Sequence, residues 1–413
     1  MTEPLEADAT TASDRTSFAE DFEAFHPRSG EGRPTVLQLL PALVSGGVER
    51  GTIDVASALV ESGWRALVVS NGGPMVHELE RAGAEHIMLP VHSKNPLLWR
   101  ANFDALVNLI HREGVDLVHA ASRIPAWLGW RAARRNNCAF VTSFHQRPVA
   151  GTALKRLYNS VMVRGDRVIA ISHYVAERLL VDYQFETSRL RVIPRGVDLS
   201  FFDPDSVPAE RLIRLTNKWR LPDGVPIVML PGRITKWKGH ALLIDALALL
   251  EKGSFHCLMV GEDTAKPALK ARLESRIASA GLTPYVHIVG RTDDMPAAYK
   301  LADVVVSASL DPEPFGRVMI EAQAMGRPIV AADHGGARES VIEGITGWLV
   351  RPNDPAALAE GIRSALTLDA AARARLSGTA IAHVRENFSR WQMCARTMAV
   401  YREALEERAA AAV

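Results

Sequence analysis

The sequence predicts an α/β protein built from two doubly wound domains, and three observations predict it. Short apolar runs rich in Val, Ile and Leu alternate with amphipathic helical segments from residue 35 onward, as in a parallel sheet covered on both faces. The series restarts after a stretch rich in Asp, Pro and Phe, "RGVDLSFFDPDSVP" (195–208). At 413 residues the chain is also long enough for two or three cores.

In chain order, residues 1–33 come first, with eight acidic and three basic side chains and no sustained apolar period. Such a segment buries too little surface to offset its entropy, which predicts a disordered tail. It lacks the basic start and apolar core of a signal peptide. No uninterrupted apolar run in the chain approaches the ~18 residues of a membrane span. The first strands are expected at 35–40, 65–71, 86–91, 116–121, 139–145, 166–172 and 189–194, with Gly63, Gly83 and Gly114 as helix stops between them. The second set is expected at 226–233, 255–262, 285–290, 303–310, 327–334 and 347–350. The predicted units are therefore 34–197, 198–390 and a last helix, 391–413, that crosses back onto the first. Cys138, Cys257 and Cys394 are odd in number and set in apolar contexts, which predicts buried, reduced thiols in a cytoplasmic protein.

Neither G-x-G-x-x-G nor G-x-x-x-x-G-K-[ST] occurs, which disfavours a dinucleotide-dependent dehydrogenase or a P-loop nucleotidase. Three other features follow strands. Gly46 and Gly47, in "SGGVER", let the backbone turn into a helix whose free amides could hold a phosphate; a tight turn without ligand is the plainer reading. Arg233 and Lys238, in "PGRITKWKG", place two cations beside a helix start, which suits a diphosphate, against a pair of surface cations; Lys236 is free to point outward. "DPEPFGRVMIEAQAMGRP" (311–328) sets Glu313 on a loop and Glu321 in the following helix. Gly316, Arg317 and Val318 lie in its first turn, where amides lack partners. Carboxylates there can bridge the neighbouring hydroxyls of sugar or ribose rings.

Together these elements resemble the retaining glycosyltransferase family four, of GT-B fold, over residues 35–405. The most specific mark is "EPFGRVMIE" (313–321), supported by "DLVHA" (116–120), "VIPRGVD" (192–198), "DMPAAYKLAD" (294–303) and "DHGGARE" (333–339). The resemblance implies two Rossmann-like domains facing a central cleft. It implies that Glu313 holds the donor sugar, Glu321 the ribose, and Arg233 and Lys238 the leaving diphosphate. It further implies contacts from the amides of Phe315, Gly316, Arg317 and Val318, from Gly46 and Gly47 to the distal phosphate, and from Gly290 and Arg291 to the base. His145 matches a histidine near the reacting sugar carbon. Two departures leave the acceptor open: Arg195 stands where asparagine is commoner, and "HQRPVAG" follows β-rich "TSF" unusually.

Transfer from a nucleotide-sugar builds negative charge on the diphosphate, which preorganised cations and helix amides stabilise best. No metal or other cofactor is expected: the one D-x-D, "DPD" (203–205), lies in the linker, where turn residues belong. Family resemblance implies same-face attack, with the leaving phosphate taking the acceptor's proton. Nine basic residues against one acid lie between His119 and Arg167, interleaved with Trp, Leu and Tyr. That composition suits a lipid-linked or lipopolysaccharide-type glycan and peripheral contact with the anionic inner membrane; a solvated face is the plainer reading. No nucleic-acid recognition motif accompanies it. The competing functions are a GT-B sugar epimerase and a non-catalytic nucleotide-sugar-binding scaffold. UDP is favoured over GDP as donor base on family frequency.

Overall fold

The computed structural model describes residues 33–44, 46–146, 152–261 and 267–410; the predicted acidic tail, save Arg33, lies outside them. The first sheet has seven parallel strands, β1 (Thr35–Leu39), β2 (Arg65–Ser70), β3 (Glu85–Met88), β4 (Leu117–Ala120), β5 (Ala139–Phe144), β6 (Arg167–Ala170) and β7 (Leu190–Val192), ordered β3-β2-β1-β4-β5-β6-β7. The second has six, β8 (Ile227–Pro231), β9 (His256–Val260), β10 (Val286–Gly290), β11 (Val304–Ser307), β12 (Ile329–Ala332) and β13 (Gly347–Val350), ordered β10-β9-β8-β11-β12-β13. Every apolar run singled out in the sequence forms a strand. Central strands such as β1 and β8 are buried along their whole length, because helices cover both faces.

Strand order reverses between β1 and β4 in one sheet and between β8 and β11 in the other. Loops leaving the carboxyl ends of such strands diverge and open a crevice. Segments following β1, β8 and β11, remote in sequence, are thereby brought to one place.

The chain crosses between domains twice, and the two crossings are bonded to each other. Val197 N donates to Phe388 O and Arg390 N to Val197 O, both at 2.8 Å. The helix Arg390–Ala410 then returns to the first domain. There Met393, Cys394, Met398, Tyr401 and Ala404 share a core with Val36, Ile53, Ala56 and Leu59. Arg167 and Arg191 reach Glu403 of this helix at 3.0 and 2.6 Å. All three cysteines are buried and unpaired; burial pushes the Cys138 thiol up to about 11, which makes it a poor nucleophile.

Candidate active site

The loop after β8 is seated on β11 by Gly239, whose φ is +76°. A Cβ there would lie 1.7 Å from Ala308 O, so only glycine permits the contact. Leu310 N completes it by donating to Trp237 O at 2.7 Å. This seat delivers Lys238 Nζ to 2.7 Å from Glu313 Oε1 and 4.5 Å from the Trp237 ring centroid. Ser307 Oγ, at 3.4 Å, and Ser309 Oγ donate to the same oxygen. Burial raises the Glu313 pKa, but attraction to Lys238 and the three hydrogen bonds outweigh it, leaving the carboxyl below its ordinary value. Among the described residues these bonds converge on Oε1, which leaves the lone pairs of the other oxygen for a ligand.

Glu321 lies in the helix Arg317–Ala324, which starts at Gly316 with φ +89°. Tyr299, fully buried, donates its hydroxyl to Glu321 Oε2 at 2.9 Å, and Arg317 Nη2 lies 3.0 Å from Oε1. Met319 N is the first amide of this helix bonded back to Gly316 O, at 3.1 Å, which leaves those of Arg317 and Val318 for a ligand. Phe315 is buried against Phe388, ring centroids 5.7 Å apart, so only its backbone is on offer. Gly290 ends β10 with φ +73°. Arg291 is exposed and lies 3.2 Å from Asp293. Arg233 is exposed as well, and its field reaches Glu49 of the first domain.

The first domain forms the opposite wall. Gly46, with φ +132°, precedes the helix Gly47–Glu61. A Cβ on Gly47 would lie 3.5 Å from Arg317 Cδ, so the glycine pair faces the donor-side helix across the crevice. Arg195 Nη2 donates to Gly47 O. Its guanidinium fills the space over Gly51. His145 immediately follows β5, its Nε2 2.6 Å from Ser143 Oγ. Burial, then Arg195 and His119, hold its pKa well below the usual range. Nearby His119 is held at about 4 by burial alone; its Nδ1 lies 2.7 Å from Tyr401 Oη of the returning helix. Burial and the charge of Arg317 bring Arg195 down to about 10, so it stays cationic near neutral pH.

The structure thus brings Glu313, Lys238, Glu321 and the Gly316 turn together on one wall, with Gly46, Gly47 and His145 on the other. Arg233 and Arg291 stand on the rim with exposed side chains. Sequence reasoning missed Ser307, Ser309 and Tyr299. Ser307 and Ser309 are one strand period apart at the end of an apolar run, a polar face that could have been read. Tyr299 gave no such signal. Of "HQRPVAG", residues 147–151 lie outside those described. Asp203 of "DPD" accepts from Asp205 N at 3.0 Å in a turn, the structural use expected there.

A crevice between two parallel-sheet domains, with a glycine turn after β1 on one wall and paired carboxylates and cations after β8 and β11 on the other, defines a glycosyltransferase of GT-B type. The chain belongs to this family: residues 214–383 match the model described as Glycosyl transferases group 1, and residues 45–201 match Glycosyltransferase Family 4. It is 32% identical over 318 residues to a D-inositol 3-phosphate glycosyltransferase of Xylanimonas cellulosilytica, spanning 71% of this chain and 73% of that one. Among solved structures it is similar to a glycosyltransferase from Rickettsia africae, with TM-score 0.85, 38% identity and coverage of 91% and 99% of the two chains. It is also similar to Anabaena HepE in complex with UDP-glucose, with TM-score 0.77, 25% identity and coverage of 88% and 99%.

Proposed function

We propose that the protein is a retaining hexosyltransferase that uses a UDP-sugar without a metal ion. The acceptor is a hydroxyl of a phosphate-bearing, lipid-linked glycan of the lipopolysaccharide type, at the cytoplasmic face of the inner membrane. The observation that carries the donor side is the buried Lys238–Glu313 pair beside Glu321, itself fixed by Tyr299. Glu313 takes sugar hydroxyls, Glu321 the ribose, and Arg233, Lys238 and the amides at 316–318 the diphosphate; Gly290 and Arg291 flank the base. As the bond from the sugar carbon to the phosphate oxygen breaks, the acceptor oxygen bonds that carbon on the same face. Its proton passes to the leaving phosphate. Cations that need no rearrangement stabilise the charge that develops there. Neutral His145 can hydrogen-bond near the sugar without adding positive charge beside a carbon that is itself becoming positive. UDP is supported by the HepE complex named above.

The acceptor side rests on the short helix Ala153–Asn159. Of the cations singled out in the sequence, Arg131 stacks over Trp99, Arg134 over Trp130 and Arg164 over Trp127 and Trp130, and Arg167 pairs with the returning helix. Lys155 and Arg156 remain exposed, beside Leu154 and Leu157 at 76% and 57% exposure. Cations interleaved with exposed leucines suit an anionic membrane surface. A soluble phosphorylated polyol is the second reading, favoured by relatives named for D-inositol 3-phosphate. Thermal shift with UDP-, GDP- and ADP-sugars tests the donor, since a ligand of the native state raises the melting temperature. A response confined to GDP- or ADP-sugars would overturn the choice of base. Labelled UDP-sugar with either a lipid extract or inositol phosphate separates the acceptors, and the anomeric coupling of the product reports retention.

A further inference from the structure

The helix His173–Tyr183 of the first domain begins beside the crevice, and the second domain caps it. Glu339 Oε2 accepts from His173 N and Oε1 from Tyr174 N, each at 2.7 Å. A third amide, Val175 N, donates to Ser172 Oγ at 3.1 Å. A carboxylate on free amides at the positive end of a helix is favourably placed. Here it comes from 165 residues away and across the domain boundary.

Both sides of this contact run into the loop carrying Glu313. Ser172 Oγ donates to Pro314 O at 2.5 Å. From the other side, Gly336 N, three residues before Glu339, donates to Glu313 O at 2.9 Å. Gly335 and Gly336 pack directly on that loop. A Cβ at 335 would lie 2.4 Å from Glu313 O, and one at 336 would lie 2.4 Å from Phe315 Cα. The carbonyls of Glu313 and Pro314 are therefore clamped between a serine of one domain and the segment that latches onto that same domain.

We propose that Glu339 and Ser172 are positioning residues: they hold the crevice closed and set the Glu313 loop only when it is closed. Opening of the domains releases the Pro314 carbonyl and the helix cap together, so the donor loop senses closure. Apart from the Gly46–Gly47 turn, the groups proposed for the nucleotide lie on the second domain, so UDP binding depends little on the latch; the reaction, which needs both walls and the Glu313 loop in place, does. Only the kinetic part of the following test rests on the donor reading proposed above.

The test is a distance measurement. Spin labels at Lys94→Cys and Glu274→Cys sit on exposed positions of the two domains, and the native cysteines are buried. Without ligand, Glu339→Ala shifts the distribution toward an open form relative to the parent, and Glu339→Gln, which keeps an acceptor oxygen, recovers part of the closed population. Ser172→Ala keeps the Glu339 contact and broadens the distribution less. With UDP as probe, Glu339→Ala keeps its affinity within about twofold, while turnover falls roughly 10- to 100-fold through misplacement of the reacting groups. A distance distribution for Glu339→Ala identical to the parent overturns the latch, as does turnover lost only in proportion to UDP affinity. Circular dichroism of Glu339→Gln confirms that the fold is retained. If UDP binds neither the parent nor the variant, the donor reading fails while the distances still decide the latch.

Discussion

The two walls of the crevice handle charge in opposite ways. On the second domain, charges are buried as partners: Glu313 with Lys238 and two serines, Glu321 with Arg317 and Tyr299. On the first domain, His119 and His145 are kept neutral by burial, beside the cation Arg195 and the carboxylates Glu49 and Asp54 whose charges act on it. A wall of compensated charges can meet a diphosphate without reorganising. A wall with neutral imidazoles suits the side where an uncharged hydroxyl approaches a sugar carbon. The first domain's own cations are largely taken up by tryptophan faces and carboxylates away from this wall.

The largest effect on this contrast comes from Glu313→Ala. It removes the carboxylate proposed for the sugar and leaves Lys238, whose side chain is only 15% exposed, without its counter-charge. Breaking a buried pair from one side costs about 3–5 kcal/mol of stability, and losing a preorganised polar group at the reacting centre costs about 100-fold or more in turnover. Glu313→Gln keeps the volume and separates the two effects. Transfer at the parent rate in either variant would show that the charged wall does not face the sugar.

What could be read from the sequence divides along the same line. Strands such as "IVMLP" are legible because burial on both faces leaves one physical choice, a continuous apolar run. Glu313 and Lys238 are legible because each ends a short loop at a strand's carboxyl end, where the topology must bring loops together. Tyr299 was not, because an aromatic in the helix Met295–Leu301 looks like any core residue until Glu321 is placed against its hydroxyl. Glu339 was quoted as part of a motif, but nothing local tells that its carboxylate caps a helix of the other domain. Arg195 stood out as a departure, and the structure supplies its geometry: a bond to Gly47 O over the space left by Gly51.

A second effect is one of pH and weighs on the first domain. The folded pKa of His119, about 4, lies below the ordinary 6.5, so the unfolded chain takes up this proton first. Its contribution is fully present above pH ~6.5 and is lost as pH falls toward 4, with a slope of about 1.4 kcal/mol per pH unit for one proton. His145 acts in the same direction. In the second domain His240, lowered to about 4 by burial and then Lys238, does too, whereas the depressed carboxyl of Glu313 loses its contribution only at lower pH. Urea titrations between pH 7 and 4.5 should show His119→Phe with a shallower loss of stability than the parent. An unchanged slope would mean that His119 is not kept neutral.

The smallest effect sharpens the contrast within the charged wall itself. Tyr299→Phe removes one hydroxyl, the donor to Glu321 Oε2, and keeps the buried ring against Phe202, centroids 5.9 Å apart. A single hydrogen bond of this kind is worth about 1 kcal/mol net, and somewhat more to a charged group. Glu321 is proposed for the ribose, a part of the donor that does not react, so its loosening weakens ground state and transition state alike. UDP affinity measured by calorimetry should therefore fall about fivefold, with turnover at saturating donor unchanged. A fall in turnover at constant UDP affinity would place Glu321, like Glu313, at the reacting sugar, and the division of labour between the two glutamates would have to be reversed.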